Sequence, residues 1–539
     1  MSPSLDSSKL SYSLGESCIR GLKKFSQETI IIDTFQQNRE LSGGMLLAVG
    51  WALSEWIHKN IPDKRIGIVL PPGIGGMAVN LACILAGKTP VNLNFTMGRA
   101  ANEVCLELAE LTSIITAKPL IHKLQDFPWT ENQIAIEDVF KSIGKTRIAW
   151  KKIQISLRSV DTLIKKIGLA PCDLDQEAAL LFTSGSSGNP KAVVLSHKNI
   201  VANVWQTEAV LSHEFVKSVM GCLPIFHSFG FTVTVFWPIL CGTKVVTHIS
   251  PLDTSRVIKA IRDHKVELFI TTPTFLKSYM KKAQSEEFQS LKMVITGAEK
   301  LPLQVLETFE EKFAVPVCEG YGMTEATPVI AVNLPDMENP HATAGHNTKD
   351  RKIGTVGKLL PEIQVRVTDA ETGEDKSLHE SGMLWFKGPN IFKGYLKQPD
   401  KTNEVLKEGW YCSGDLGHLD KDNFLTIDGR VSRFSKIAGE MVPHATVEGV
   451  MHEILTKIAG EEVGVAIMGV RDEQKGESLV ALVTKEVNKT QWQKEFAQKK
   501  LPNLWMPKHI VIVEEIPLLA SGKLDLRTCQ TMATEMVAA

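Results

Sequence analysis

The residues best suited to chemistry lie in a short polar loop in the first half of the chain, FTSGSSGNPK at residues 182–191. Its glycines let successive backbone N–H groups point the same way and form a concavity that attracts anions, most commonly phosphate. Hydroxyl groups add neutral donors and a lysine adds a positive charge. The candidate phosphate loop comprises Thr183, Ser184, Gly185, Ser186, Ser187, Gly188 and Lys191. The alternative is a polar surface turn.

Other glycine-rich stretches fit phosphate less well. The tripeptide GKT occurs at Gly87 and Gly144, but the leading glycine of the P-loop pattern is replaced by Ala82 and Val139, respectively. The stretch GIGGMA at residues 73–78 matches the dinucleotide fingerprint after a predicted strand, yet it follows two prolines and lacks an acidic residue at the ribose-binding distance. We therefore expect turns at GKT and no nicotinamide site.

A second block, CEGYGMTEATP at residues 318–328, brackets an aromatic side chain with glycines and then presents a carboxylate. The ring of Tyr321 suits stacking on a planar base, Thr324 offers a hydroxyl, and Glu325 is a hard oxygen ligand suited to Mg²⁺. Taken alone, the block also fits a loop with a solvated glutamate.

Two further blocks lie toward the C-terminus. In residues 410–442 the carboxylate of Asp415 follows a Ser-Gly turn and could take both hydroxyls of a ribose, while Arg430 could reach phosphate. In PLLASGKLDLR, residues 517–527, Lys523 also follows Ser-Gly. A single lysine in such a turn is usually just solvated.

The elements that position these blocks alternate between short β-rich runs and helix-length amphipathic stretches. This alternation predicts an α/β protein with parallel sheets covered by helices. The predicted strands are residues 65–70, 89–94, 113–117, 178–182, 192–195, 267–272 and 292–299. A helix is predicted at residues 77–88, and Ser196 is expected to cap the helix after the phosphate loop.

The second half of the chain changes texture. From about Gly354, dense glycines and prolines between short strands predict an antiparallel β subdomain. After Arg430 a smaller unit is predicted, with helices at residues 446–458 and near 491–500 and strands near 463–470 and 478–485.

Bulk properties narrow the class of protein. A chain of 539 residues suggests two or three domains, and 60 Lys and Arg against 61 Asp and Glu argue against a dedicated nucleic-acid-binding protein. Nine cysteines without a C-x-x-C pair favour free thiols over zinc or disulfides. We expect a cytoplasmic protein, because no segment is long and apolar enough to cross a bilayer and the N-terminus lacks a signal-peptide pattern. Contact with a membrane surface stays open.

Together, the four blocks occur in the order and with the flanks of the adenylate-forming superfamily of acyl- and aryl-CoA synthetases, luciferases and peptide-synthetase adenylation domains, which essentially the whole chain resembles. The resemblance implies an α/β fold. Residues 1–430 would form a large N-terminal domain of two β/α layered subdomains and a β subdomain, and residues 431–539 a small mobile α+β C-terminal domain. It also implies two half-reactions: a carboxylate and ATP give acyl-AMP and pyrophosphate, and a thiol then takes the acyl group.

The resemblance also implies roles for individual residues. The phosphate loop would wrap the β- and γ-phosphates of ATP. Thr324 would contact the α-phosphate, Glu325 would hold Mg²⁺, Asp415 would bind the ribose, and Arg430 would support the ribose and phosphate region. The implied adenine pocket comprises Gly297, Ala298, Glu299, Gly320, Tyr321 and Gly322.

Two lysines are implied to serve the two half-reactions. Lys523 resembles the lysine that bridges the attacking carboxylate and the α-phosphate, where it would stabilise the charge that develops at phosphorus. Lys436 and Gly439 match the face that the small domain presents for thioester formation after it rotates about residue 432. The hinge is usually Asp or Lys, whereas this chain has Ser432.

The acid is suggested by CLPIFHSFGFTVTVFWPILCG at residues 222–242, in which His227 and Phe229 precede a long apolar stretch. Apolar walls suit an alkyl chain, whose burial contributes about 0.8 kcal/mol per CH₂. A buried core helix is the alternative. The segment resembles the acyl-pocket region of fatty-acid-activating members.

The thiol is suggested by a finer resemblance of strings such as GPNIFKGYL and RFSKIAGEMV to bacterial acyl–acyl-carrier-protein synthetases. In particular, they resemble the synthetase half of acylglycerophosphoethanolamine acyltransferase/acyl-ACP synthetase. Because carrier proteins are acidic, a basic docking face is expected on the small domain. Its candidate residues are Arg433, Lys436, Lys494, Lys499, Lys500 and Lys508.

Three alternatives remain. A medium- or long-chain acyl-CoA synthetase shares the chemistry up to the thiol. An amino-acid-activating enzyme would need an acidic residue near the pocket, and residues 222–240 contain none. A non-catalytic nucleotide-binding module would require neither Glu325 nor Lys523.

Overall fold

The computed structural model describes residues 5–184, 190–437, 440–472, 475–499, 501–518 and 524–538, apart from the side chains of Ser184, Ser432, Met441 and residues 536–538. In chain order the strands are β1 (Thr29–Asp33), β2 (Arg39–Ser42), β3 (Arg65–Val69), β4 (Thr89–Asn92), β5 (Ser113–Thr116), β6 (Asn132–Ala135), β7 (Glu177–Ser184), β8 (Pro190–Ser196), β9 (Ser218–Gly221), β10 (Lys244–Thr247), β11 (Leu268–Thr271), β12 (Met293–Thr296), β13 (Val317–Gly322), β14 (Val329–Val332), β15 (Lys358–Leu359), β16 (Gln364–Thr368), β17 (Gly382–Lys387), β18 (Gly394–Tyr395), β19 (Leu406–Lys407), β20 (Trp410–Leu419), β21 (Leu425–Arg430), β22 (Phe434–Ile437), β23 (Glu440–Pro443), β24 (Val465–Asp472), β25 (Gly476–Val483) and β26 (His509–Ile512).

The α-helices are α1 (Leu14–Lys24), α2 (Gly43–Asn60), α3 (Ile74–Leu85), α4 (Arg99–Ala109), α5 (Lys118–Lys123), α6 (Ile136–Ile143), α7 (Lys145–Leu157), α8 (Val160–Ile167), α9 (His197–Leu211), α10 (Ser228–Phe231), α11 (Trp237–Cys241), α12 (Thr254–Asp263), α13 (Pro273–Lys282), α14 (Leu303–Phe313), α15 (Pro399–Val405), α16 (His444–Ala459), α17 (Lys489–Gln498) and α18 (Leu526–Ala538). A π-helical turn, Thr232–Phe236, joins α10 to α11, and short 3₁₀ turns lie at Thr324–Ala326 and Val431–Arg433.

Two large mixed sheets form the body of the protein. Sheet A has the order β15-β14-β13-β12-β11-β9-β10-β1-β2, and its run from β13 to β1 is parallel. Sheet B has the order β18-β8-β7-β4-β3-β5-β6 and is parallel from β7 to β6. The carboxyl ends of neighbouring parallel strands lie along one edge of each sheet. The predicted α/β class is therefore confirmed.

The second half of the chain forms two smaller sheets. Sheet C, with the order β16-β17-β20-β19 and with β21 on β20, is antiparallel throughout, as predicted. Sheet D, with the order β23-β22-β25-β24 and with β26 parallel to β25, has its own apolar core that includes Val447, Met451, Leu455 and Trp492. The predicted domain boundary at residues 430/431 falls between the last strand of sheet C and the first strand of sheet D, and it stays a prediction.

Helix starts follow the predicted chemistry in one case and correct it in another. Ser196 caps α9, because its hydroxyl accepts from the N–H of Asn199 while the Asn199 side chain bonds back. Helix α3 begins at Ile74, earlier than predicted, because Asp33 Oδ2 accepts from the Ile74 N–H at 3.0 Å. Gly73 has φ 145° there, and a Cβ would contact that carboxylate. The glycine at the head of GIGGMA thus serves a capped turn.

The segment at residues 229–242 is predominantly core. Phe231, Phe236 and Trp237 are fully buried, and the apolar residues that follow them are almost so.

The entry into β13 is held by a buried ion pair. Arg351 and Glu310 are 1% and 5% exposed and bond to each other. Arg351 also donates to the carbonyl of Val317, and Glu310 accepts from the N–H groups of Val317 and Gly345. Because β13 carries the glycine-bracketed tyrosine, this pair fixes the start of a strand that the candidate site uses.

Removing one partner of this pair should be costly. We expect Arg351→Met to lower the free energy of unfolding of the large domain by about 3–5 kcal/mol, since Glu310 would remain buried and uncompensated. The matched control is Arg366→Met, which breaks an exposed pair with Asp375 and should cost less than about 1 kcal/mol. Urea unfolding measures both. Equal losses would contradict a special role for the buried pair.

Candidate active site

The candidate site gathers at the carboxyl ends of adjacent parallel strands of sheet A. The chain leaves β9 toward His227, leaves β12 through Gly297 and leaves β13 through Gly322. Ligands of open α/β sheets bind in crevices at this edge. The fold thus brings together three blocks that are far apart in the sequence.

A tyrosine, an aspartate and an arginine form the first cluster. The Tyr321 hydroxyl donates to Asp415 Oδ2 at 2.5 Å, and Arg430 Nε lies 3.1 Å from Asp415 Oδ1. Asp415 and Arg430 are direct cross-strand partners in β20 and β21, which explains why their spacing in the sequence brings them together. Burial raises the pKa of Tyr321, so its hydroxyl stays a donor. The cluster offers carboxylate acceptors and one cation beside an aromatic ring.

The second cluster centres on Glu325. Glu325 is only 8% exposed. Its Oε1 accepts a hydrogen bond from the Tyr395 hydroxyl at 2.8 Å. Lys191 Nζ lies 4.9 Å from the centre of the same tyrosine ring, in a cation–π contact. Burial, with the Glu325 charge second, raises the pKa of Tyr395. One tyrosine therefore links the predicted phosphate-loop lysine to the predicted metal ligand.

Tyr395 was not predicted from the sequence as a site residue. It lies in the string GPNIFKGYL, which carries part of the resemblance, but nothing in the spacing indicates a role. Its position follows from the pairing of β18 with β8, in which Tyr395 is opposite Val193. The sequence pattern alone does not predict that strand pairing.

Thr324 and Phe229 join the predicted nucleotide side of the site to the predicted acyl side. The Thr324 hydroxyl is 3.2 Å from that of Ser228, next to His227. A Cβ at Gly297 would lie 3.4 Å from both the Phe229 ring and the Gly320 carbonyl oxygen. One glycine of the predicted adenine pocket, Gly297, therefore faces a predicted acyl-pocket residue.

The other residues of the predicted adenine pocket differ in what constrains them: backbone conformation at Ala298, packing at Gly322 and hydrogen bonds at Glu299. Ala298 has φ 70°, a left-handed conformation that is unfavourable for alanine and sharpens the turn after β12. A Cβ at Gly322 would overlap the carbonyl oxygen of Pro328, so glycine is required there by packing. Glu299 Oε2 accepts from the hydroxyl and N–H of Thr274, while its buried Oε1 has no hydrogen-bond partner among the described residues.

The structure describes only some of the remaining predicted residues. Thr183 and the backbone of Ser184 belong to β7, which pairs with β8 so that Thr183 is opposite Lys191. Gly185, Ser186, Ser187, Gly188, Gly439 and Lys523 lie outside the described residues. The predicted hinge residue, Ser432, falls in the 3₁₀ turn between β21 and β22. Roles for all of these stay predictions.

Lys436 is placed away from both clusters. It lies on β22, exposed, and its ammonium bonds to Glu371 in the turn after β16. The structure thus brings together five described residues predicted for the first half-reaction, Lys191, Thr324, Glu325, Asp415 and Arg430, whereas the lysine predicted for thioester formation contacts the outside of the β subdomain.

The described side chains suit ATP with Mg²⁺. Lys191 and Arg430 supply cations for phosphates, and Asp415 supplies acceptors for a ribose. No group of three or more His, Cys, Asp or Glu among the described residues could hold a metal. A single carboxylate, Glu325, fits the way Mg²⁺ binds, through one or two carboxylates together with the phosphates of its nucleotide.

Comparison with known proteins decides the family. The model of the family described as AMP-binding enzyme matches residues 28–396, and that of the AMP-binding enzyme C-terminal domain matches residues 461–523. The chain belongs to the AMP-binding enzyme family. The predicted membership in the adenylate-forming superfamily is thereby confirmed.

Relatives of this AMP-binding enzyme include acid–CoA ligases. It is 31% identical over 365 residues to the long-chain-fatty-acid–CoA ligase of Bacillus subtilis, a match that covers 66% of this chain and 62% of the ligase. It is 27% identical over 487 residues to 4-coumarate–CoA ligase 2 of Nicotiana tabacum, covering 86% of this chain and 84% of that ligase.

Solved structures confirm the predicted fold. ATP-bound MatB from Rhodopseudomonas palustris is similar with a TM-score of 0.77 at 20% identity, covering 97% of this chain and 99% of that one. The o-succinylbenzoate CoA synthetase of Bacillus subtilis, in complex with its acyl-adenylate intermediate, gives a TM-score of 0.75 at 23% identity, covering 95% and 97%. The large N-terminal and small C-terminal domains are those of this fold.

The link through Tyr395 can be tested by removing one oxygen. We expect Tyr395→Phe to lower kcat/KM for ATP about tenfold and to raise the Mg²⁺ concentration needed for half-maximal activity, because the Glu325 carboxylate loses the donor that orients it.

The matched control is Tyr279→Phe, which removes a buried hydroxyl that donates to the Pro251 carbonyl at 2.6 Å and contacts neither Glu325 nor Lys191. It should change stability without changing the Mg²⁺ requirement. An unchanged Mg²⁺ requirement in Tyr395→Phe would remove the proposed role.

A second test uses Glu319, which precedes Gly320 and accepts from the Leu301 N–H at 3.1 Å. Burial raises the pKa of Glu319 to about 7. Between the ordinary pKa and this value, the folded state keeps a proton that the unfolded state has released, so stability falls as the pH rises and the full cost is present above about pH 7.

Glu319→Gln keeps the acceptor and removes the titration. Relative to the wild type, we expect this variant to gain about 2 kcal/mol in unfolding free energy between about pH 5 and about pH 8. Urea unfolding across that range measures the difference. A difference independent of pH would show that Glu319 titrates normally.

Proposed function

We propose that this AMP-binding enzyme is a fatty acid–acyl-carrier-protein ligase that acts in the cytoplasm. In the first half-reaction, a carboxylate oxygen of the fatty acid attacks the α-phosphorus of ATP, the bond to the β-phosphate breaks, and pyrophosphate leaves. In the second, the phosphopantetheine thiol of acyl carrier protein attacks the acyl carbon, the thiol proton is released, and AMP leaves.

The observation that carries the first half-reaction is the contact between the two sides of the site. A Cβ at Gly297 would touch the Phe229 ring at 3.4 Å, so the acyl side adjoins this adenine-loop glycine. The Thr324 hydroxyl reaches Ser228, in the same segment. Forming a mixed anhydride requires the carboxylate and the α-phosphate to be held side by side, and this arrangement supports that requirement.

The chain's own residues then orient ATP. In this proposal Asp415 accepts the ribose hydroxyls, with Tyr321 and Arg430 fixing the rotamer of its carboxylate. Lys191 binds the phosphates that become pyrophosphate. Mg²⁺, held by Glu325, would neutralise phosphate charge when ATP is bound. Thr324 positions the α-phosphate beside the acyl side.

A fatty acid is supported by the resemblance of residues 222–242 to the acyl-pocket region of fatty-acid-activating members. Within that segment His227 and Phe229 are half-buried, whereas Phe231, Val233, Val235 and Phe236 are at most 3% exposed and pack in the core. The Bacillus subtilis relative is named as a long-chain-fatty-acid–CoA ligase, which supports the same class of acid. That likeness also favours a second candidate function, fatty acyl-CoA synthesis.

Carrier protein as acceptor is supported by the motif strings rather than by a free basic face. Within the described residues, four of the predicted docking cations are ion-paired: Arg433 with Glu448, Lys436 with Glu371, Lys499 with Glu453 and Lys508 with Asp472. Arg433 is also largely buried. The expectation of an open basic face is therefore weakened, because most of its charge is already compensated.

The pair between Lys436 and Glu371 has a consequence for the second half-reaction. If Lys436 serves thioester formation, the small domain must move so that this exposed pair breaks. Exposed pairs contribute about 0–1 kcal/mol, so the pair would not oppose such a movement strongly.

A side-by-side transfer assay tests the acceptor. We expect a series of fatty acids to be transferred to acyl carrier protein with a higher kcat/KM than to CoA. Faster transfer to CoA with every acid would replace the proposal with the second candidate function. Pyrophosphate release with no acid at all would overturn both.

The lysine at the C-terminal end gives a separate prediction. We expect Lys523→Ala to lower acid-dependent ATP–pyrophosphate exchange by about 10²–10³-fold, since one charge-stabilising donor is lost. Transfer from preformed acyl-AMP should be largely retained. Measuring both half-reactions in one preparation is the test, and equal losses would refute a role confined to adenylation.

A further inference from the structure

Helix α7 carries an apolar stripe that faces outward. Trp150, Ile153 and Leu157 are 60%, 48% and 77% exposed. At about 100° per residue these three positions fall within roughly 60° of one another around the helix. Single exposed apolar residues are ordinary on protein surfaces, but three large ones in a row on one helix indicate a contact surface.

The stripe faces outward because the opposite side of α7 is firmly anchored. Ile155 is 1% exposed in the core, and Lys151 bonds to Glu55 and lies 3.7 Å from the centre of the Trp51 ring. At the last turn, Lys23 Nζ bonds to the Ile155 and Ser156 carbonyls at 2.5 and 3.1 Å. The helix therefore cannot roll the stripe inward without breaking buried contacts.

The surroundings of the stripe are basic. Residues 139–160 contain six Lys or Arg and no Asp or Glu, in a chain whose formal net charge is −1. Arg147 is paired with Glu55, but the exposed Lys145 and Lys152 form no ion pair with any described residue. On α8, Asp161 is paired with Arg20. The large apolar side chains are thus flanked on one side, about 80–160° around the helix, by two lysines that are not ion-paired with described residues.

We propose that the outward face of α7 docks this enzyme on the surface of a bilayer that contains anionic lipids. Trp, Ile and Leu would enter the region of the headgroups, and Lys145 and Lys152 would contact lipid phosphates. Among the described residues, no helix is long and apolar enough to cross a membrane, so the contact lies at the surface. The proposal is independent of which thiol accepts the acyl group.

Two other occupants fit less well. A second copy of the chain would bring the same positive charge to the interface. Three side chains supply on the order of 400 Å², about half of what each partner buries in a stable interface. An acidic protein would match the charge, but an exposed stripe of three large apolar side chains with lysines at its edge is the pattern of interfacial helices.

Vesicle flotation of the full chain tests the proposal. We expect the wild type to float with vesicles of phosphatidylcholine and phosphatidylglycerol, to float much less with phosphatidylcholine alone, and to detach as salt is raised. Trp150→Ser/Ile153→Ser/Leu157→Ser should lower the partition coefficient at least about tenfold. Lys145→Glu/Lys152→Glu should abolish the preference for the anionic vesicles.

The matched control is Leu252→Ser/Leu378→Ser, which removes apolar side chains that are 76% and 58% exposed elsewhere and should leave flotation unchanged. Thermal unfolding and ATP binding of each variant check the fold. Equal flotation of the wild type and the triple variant would overturn the proposal. The proposal would also be overturned if the wild type did not float and the triple variant instead lost carrier-protein binding or self-association.

Discussion

The candidate site depends on one buried carboxylate. Glu325 is almost wholly removed from solvent, and a buried charge is stable only where hydrogen bonds and nearby charge compensate it. The Tyr395 hydroxyl supplies the bond, Arg430 interacts electrostatically with the carboxylate, and Lys191 lies over the ring of the same tyrosine. These residues come from four distant segments, so the carboxylate can be accommodated only once the two large sheets are packed together.

The packing that allows this is itself polar and buried. The Asn390 side chain donates to the Ala326 carbonyl at 2.7 Å, and the main-chain carbonyl of Asn390 accepts from the Thr327 hydroxyl at 2.7 Å. Asn199, at the start of α9, donates to the Ile391 carbonyl at 2.7 Å. These bonds join the turn that carries Glu325 to the segment that carries Tyr395. A nucleotide bound between Lys191 of sheet B, Glu325 after sheet A and Asp415 of sheet C would therefore bridge parts of the fold that are already fixed.

Much of this could be predicted from the sequence, because its signals are local. Strand and helix periodicity predicted the α/β layers, and the change in glycine and proline content predicted the antiparallel sheet. Ser196 predicted the start of a helix. The motif blocks gave Glu325, Asp415, Arg430 and Lys191, which the structure gathers into two clusters. Roles for residues outside the described ranges, Lys523 above all, stay predictions.

What could not be predicted depends on contacts between distant segments. Tyr395 is recognisable only when β18 pairs with β8, and the raised pKa of Glu319 only when the folded chain buries its carboxyl group. The partners of the predicted docking cations lie 15 to 65 residues away in the sequence, so a face that is basic in composition is largely neutral in structure. The stripe on α7 could not be predicted, because its apolar residues resemble those of a core helix until their exposure is known.

The central claim is that Glu325 couples Mg²⁺ to nucleotide binding. Titration calorimetry of ATP with and without Mg²⁺, on the wild type and on Glu325→Gln, tests it most directly. The account predicts that Mg²⁺ strengthens ATP binding by the wild type at least about tenfold, and that the variant loses this gain while binding Mg²⁺-free ATP no more weakly. A variant that keeps the full Mg²⁺ effect would contradict it.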